Sequence, residues 1–178
     1  MSSSRKVELI VLDLDGTLLM GNGRIHPANV QPLREVVARG LPVVLATGKT
    51  RWSAQEVIDT LGLETPGVFS QGMIVTDGQG ELLRLVTLAE GVTAVVLDFA
   101  AERNLPVNVY ASDGLYTTVD DQYRQILHDK YREPLPDHRP DLRQQLAALQ
   151  IIKLLISDEL GNDETRAALE QHLAGQAR

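Results

Sequence analysis

Two apolar runs, Val7–Leu12 and Pro42–Ala46, and a third opening at Val68-Phe69 are separated by stretches of helical periodicity. Val30, Leu33, Val36 and Val37 recur at helical spacing between Pro27 and Arg39, and Gly40 stops the pattern. Pro32 falls early in that stretch, where a helix tolerates it best. A second helix is expected from about Trp52 to Leu61, with Trp52 as a packing residue at its start. The apolar runs show little polar alternation, which implies a parallel sheet covered on both faces. Strand–helix–strand–helix–strand predicts a doubly wound α/β layer.

The rhythm changes after residue 70. Met73–Thr76, a glycine-rich Asp77-Gly78-Gln79-Gly80 turn and Leu82–Val86 predict a hairpin. Beyond it come an amphipathic helix (Glu90–Glu102), strands at Leu105–Ala111 and Leu115–Val119, and a helix over Asp120–Tyr131. A proline-rich loop (Glu133–Pro140), a short helix (Leu142–Leu149), a strand (Ile151–Ile156) and a last helix (Asp163–Leu173) complete the reading. The expected organisation is an α/β part over residues 1–86 and an α+β module over 87–178.

Composition narrows the function classes. A net charge of −7 argues against an electrostatic grip on nucleic acid or an anionic membrane. The absence of Cys excludes disulfides and thiolate metal sites. MSSSRKVELIVLDLDG has no signal-peptide pattern, and no apolar run approaches membrane-spanning length. The expectation is a cytoplasmic enzyme or binding protein.

The chemistry is concentrated in Asp13-Leu14-Asp15-Gly16-Thr17-Leu18-Leu19. Asp13 and Asp15 leave the first strand on one face. Two close carboxylates call for a cation or a shared proton, and oxygen ligands of this kind suit Mg²⁺. An EF-hand loop fails, because Thr17 and Leu18 stand where it needs a further Asp or Asn and a Gly. The second string, Leu45-Ala46-Thr47-Gly48-Lys49-Thr50, joins the second strand to a helix, where a hydroxyl and a glycine amide make a natural phosphate contact. It is not a nucleotide P-loop, since Val43 occupies the position of the required first glycine.

DLDGTLL and ATG, in that order, resemble motifs I and II of the haloacid dehalogenase-like (HAD) hydrolases. VFSQGMIVTDGQGELL resembles the approach to the cap of the Cof-type (subclass IIB) phosphatases. The resemblance implies a HAD-like Rossmannoid parallel sheet, incomplete here, with an inserted α+β cap. It implies a phosphomonoester hydrolase in which Asp13 is the nucleophile and Asp15 the general acid and base. Mg²⁺ would be held by the Asp13 carboxylate and the Asp15 backbone carbonyl. Thr47, the amides near Gly16 and Gly48, and Lys49 would contact the phosphoryl group of a small phosphorylated metabolite, a sugar or nucleotide-related phosphate.

The chain departs from the Cof pattern in three places. Lys49-Thr50 replaces the usual Arg-Pro after ATG, and Gln71-Gly72 replaces Asn-Gly. Of four lysines, Lys6, Lys49, Lys130 and Lys153, the last suits a cap strand better than the motif III lysine. Asp158, Asn162 and Asp163 have the wrong spacing for motif IV and read as a helix start. The resemblance therefore covers motifs I and II and stops before the last core strands. It leaves an open sheet edge beside the first strand, an invitation to self-association or completion by another chain. Three rivals remain: a short capless phosphatase using Lys153 and Asp158, a phosphomutase sharing the same first half, and a non-catalytic protein binding Mg²⁺ and phosphate without turnover.

Overall fold

The computed structural model describes residues 6–120, 122–157 and 163–174. They form two compact units, one of Met1–Leu85 with Lys130–Arg132, the other of Val86–Asp129 with Glu133–Arg178.

In chain order the first unit contains β1 (Ile10–Leu12), α1 (Pro27–Ala38), β2 (Val43–Leu45), α2 (Arg51–Leu61), β3 (Gly67–Phe69), β4 (Ile74–Thr76) and β5 (Leu82–Leu85). β1 and β2 are parallel, with Ile10 opposite Val43 and Leu12 opposite Leu45. A parallel bridge between Ala46 and Val68 extends the layer to β3. β3 also pairs antiparallel with β4, and β4 with β5.

Local signals explain the helix ends. The His26 ring accepts from Ala28 N at the start of α1, where Pro27 has no N–H that would need an acceptor. Thr50 caps α2 by accepting from Ser53 N at 3.1 Å. Gly62, left-handed at φ 65°, ends it, and Leu63 N bonds back to Ile58 O at 3.0 Å.

The core gathers Leu14, Leu18, Leu45, Ala54, Leu61 and Phe69, with Ile10, Leu12, Leu33 and Val36 packed against it. Helices α1 and α2 thus cover the face of β1 that carries Ile10 and Leu12. The opposite face departs from the expected two-sided cover. Val7, Leu9 and Val11 are 61%, 50% and 56% exposed. The strand is also shorter than the apolar run, because pairing with β2 reaches only Ile10–Leu12. Trp52 does not pack as expected. It is 43% exposed, since the buried face of α2 is formed by Ser53, Ala54, Val57 and Leu61.

The second unit comprises α3 (Glu90–Glu102), β6 (Val107–Ala111), β7 (Leu115–Thr117), α4 (Gln122–Tyr131, whose last two residues belong to the first unit), β8 (Asp137–His138), α5 (Leu142–Gln145), β9 (Ile151–Ile156) and α6 (Asp163–His172). Its sheet runs β8-β7-β6-β9. One face packs Val107, Val109 and Ile151 against Leu97, Ala100 and Leu142. The expected loop over 133–140 contains β8, which pairs parallel with the β7 edge through Arg139 N to Thr117 O at 2.9 Å. The helix expected over 142–149 is α5 followed by a 3₁₀ turn at Leu146–Ala148. Tyr110 and Tyr116, in the paired strands β6 and β7, are 3% and 5% exposed. No helix among the described residues is long and apolar enough to cross a membrane.

Thr50→Ala removes a buried cap and should cost about 1 kcal/mol in urea unfolding. Burial, reinforced by Glu133, pushes the Tyr110 phenol above its ordinary value near 10. The unfolded chain then ionises first, so stability held below about pH 10 is lost as the pH rises further. Circular dichroism across that range should show the loss, and Tyr110→Phe should remove this residue's share of it.

Candidate active site

The turn after β1 is built from beneath. Leu14 is fully buried, and its carbonyl accepts from Thr17, Leu18 and Leu19 N at 3.3, 3.0 and 2.8 Å. Leu18 and Leu19 follow it into the core at 5% and 7% exposure. With the three leucines directed inward, Asp13, Asp15, Gly16 and Thr17 are left on the exposed side. Gly16 closes the turn at φ 71°, a backbone angle that costs a side-chain-bearing residue energy.

The loop after β2 is clipped at both sides. Ala46 N donates to Leu12 O at 2.9 Å and Thr47 N to Val68 O at 2.9 Å. Ser70 N donates to Lys49 O at 2.9 Å and Gln71 N to Thr47 O at 3.3 Å. Thr47 is 6% exposed, and its hydroxyl oxygen accepts from Lys49 N at 3.2 Å. That bond uses an oxygen lone pair and leaves the hydroxyl proton for another acceptor. A Cβ at Gly48 would meet Gln71 Nε2 at 2.8 Å, so the end of that side chain would have to swing aside.

Lys49 connects the two loops. Its Nζ lies 3.3 Å from Asp15 Oδ2 and 3.4 Å from Tyr131 O. The lysine side chain is 10% exposed and the aspartate 66%. Asp13 makes no side-chain hydrogen bond or ion pair among the described residues, and no cluster of three or more His, Cys, Asp or Glu suits a metal there. Two hard carboxylates flanking a turn nevertheless match Mg²⁺ in kind, since that ion takes one or two carboxylates and fills its remaining positions with water and phosphate.

The other candidates lie elsewhere. Lys153 is on β9 opposite Tyr110, its Nζ 4.6 Å from that ring's centroid. Asp163 is the first residue of α6, and Asp158 and Asn162 lie outside the described residues. Sequence reasoning missed two features. Ser70 and Gln71 are consecutive left-handed residues, at φ 50° and 55°, in the turn that holds the Thr47 loop. Only Gly72 hinted at an unusual turn. The Lys49–Asp15 pair was also missed, because a spacing along the chain says nothing of which loops meet.

The model of the haloacid dehalogenase-like hydrolase family matches residues 10–178. The chain belongs to the haloacid dehalogenase-like hydrolases. It is 32% identical over 162 residues, 86% of its length, to the protein named chloroplastic endoribonuclease YBEY of Arabidopsis thaliana, covering 28% of that protein. It is 26% identical to the phosphatase YwpJ of Bacillus subtilis, over 81% of this chain and 51% of the relative. A Thermotoga maritima structure superposes with a TM-score of 0.80 at 22% identity, covering 94% of this chain and 63% of the other. A HAD subclass IIB sugar phosphatase does so with a TM-score of 0.75 at 15% identity, over 93% and 63%. The fold is therefore that of the Cof-type HAD proteins, and the chain spans about half or less of the length of these curated relatives.

Gly16→Ala leaves room for the methyl group but not for the backbone angle, and should destabilise this HAD chain by about 1 kcal/mol in urea unfolding.

Proposed function

We propose that this chain carries the reacting half of a Mg²⁺-dependent phosphomonoester hydrolase acting on a small phosphorylated metabolite. The observation that supports it most is the leucine-anchored turn, which presents Asp13 and Asp15 to solvent beside the Thr47 hydroxyl loop. The substrate class is a sugar or nucleotide-related phosphate, and the structural likeness to a HAD subclass IIB sugar phosphatase supports the former.

An Asp13 carboxylate oxygen attacks phosphorus, and the bond to the leaving oxygen breaks. Asp15 gives its proton to that oxygen, leaving an aspartyl-phosphate and a free alcohol. Asp15, now a carboxylate, takes a proton from water as the water attacks the same phosphorus. Inorganic phosphate departs and Asp13 is restored. The Thr47 hydroxyl and the loop amides orient the phosphoryl oxygens. The Asp13 carboxylate and the Asp15 backbone carbonyl would hold Mg²⁺, which would supply charge stabilisation to the phosphoryl group. The second reading, binding of Mg²⁺ and phosphate without turnover, draws on the lack of a third acidic group among the described residues.

Hydrolysis of an aryl phosphate by the full chain should require Mg²⁺ and vanish in Asp13→Asn, which lacks the nucleophile. Asp15→Asn should lower kcat by about 10²–10⁴-fold. A folded chain that binds Mg²⁺ and phosphate but shows no turnover would favour the second reading.

A further inference from the structure

The second unit carries a groove of about 320 Å³, lined by α3, the start of β6, the residues after β7 and the Pro140–Arg143 segment. Sites for small molecules fall in the range of about 300–1,000 Å³ and combine apolar walls with a few placed polar groups. The floor here is part of the core. Leu97, Ala100 and Val107 are 4%, 1% and 1% exposed. Close-packed core side chains do not rearrange readily, so the floor has a fixed shape. No residue of the acidic turn or of the Thr47 loop lines this groove.

Asp98 and Arg143 supply the polar groups. Arg143 Nε donates to Asp98 Oδ1 at 2.8 Å and Nη2 donates to Oδ2 at 3.1 Å. A guanidinium has five N–H donors and a carboxylate about four acceptor sites, so this pairing leaves more than half of the donors and about half of the acceptor sites unused. Neither side chain makes another hydrogen bond among the described residues. The side chains are 56% and 50% exposed, and a pair this open adds little to stability. What the two bonds do is hold one negative and one positive group side by side above an apolar floor. An anion alone would gain Arg143 and be repelled by Asp98, and a cation alone would meet the reverse. A molecule with both charges on neighbouring atoms satisfies the pair without breaking it. A peptide carries its two terminal charges at opposite ends, whereas a free amino acid carries them on one carbon. We propose that this groove binds a free α-amino acid with an apolar side chain, its carboxylate on Arg143, its ammonium on Asp98 and its side chain against Leu97, Ala100 and Val107. The assignment does not rest on the hydrolase reading.

The test is calorimetry on the full chain with L-leucine as the probe. 4-Methylpentanoate lacks the ammonium and 3-methylbutylamine lacks the carboxylate, and each should bind about 10–100-fold more weakly than leucine, the loss of one charge-assisted contact. Glycine, without the apolar group, should lose a similar factor. Arg143→Met and Asp98→Asn should each weaken leucine binding about 10–100-fold while the melting temperature holds, since both positions are exposed. Ala101→Phe, at an exposed position of the α3 wall, should block the groove and abolish binding. No leucine binding by the folded wild type overturns the assignment. So does leucine binding that Arg143→Met leaves unchanged, and so do single-charge analogues that bind as tightly as leucine.

Discussion

The carbonyl of Leu14 governs the chemistry of this chain. It accepts three successive N–H groups from within a fully buried position, so the turn after β1 has one shape, set from the core side. A buried carbonyl that lost those donors would carry a desolvation cost of about 1–3 kcal/mol. The leucines therefore hold the aspartates. Apolar packing fixes the backbone on which two acidic side chains stand clear of the interior, and among the described residues only Asp15 meets a charged partner, Lys49. The second loop is held differently, by main-chain bonds to the ends of β1 and β3. It depends on strand register where the first loop depends on packing.

Periodicity made most of the fold legible. The spacing of Val30, Leu33, Val36 and Val37 marks α1, and Thr50 and Gly62 mark the ends of α2 by capping chemistry. Where reading failed, the cause was tertiary. Val7, Leu9 and Val11 carry the apolar signal of a buried strand, yet apolar residues are written into a sequence without saying which face a helix will cover. Trp52 illustrates the same limit on a helix, where small residues took the buried stripe. β8 was invisible, since two residues beside prolines carry no pattern. Its strand character comes from the open edge of β7.

The candidate site could be named from the sequence, but only part of its arrangement could. Asp13, Asp15 and Thr47 announce themselves through motif and position. The reach of Lys49 to Asp15 does not, nor do the left-handed Ser70 and Gln71 that pin its loop. Backbone strain of this sort persists where surrounding bonds over-determine it. The second unit has its own polar anomaly. Asn108 is fully buried, and neither polar atom of its side-chain amide finds a hydrogen-bond partner among the described residues. An uncompensated amide in a paired strand weakens the unit that contains it.

The two loops also differ in how far along the chain they reach. The acidic turn closes over contacts three to five residues apart, from Leu14 to Leu19. The Thr47–Lys49 loop exists only while β1, β2 and β3 are in register across more than fifty residues of sequence, from Leu12 to Val68. Partial opening of the sheet would therefore strip away the cationic arm first. What survives longest is a bare pair of carboxylates on a short loop, able to attract a divalent ion yet without the groups that hold an anion beside it. The proposed metal and phosphate binding would thus be lost at different stages of denaturation.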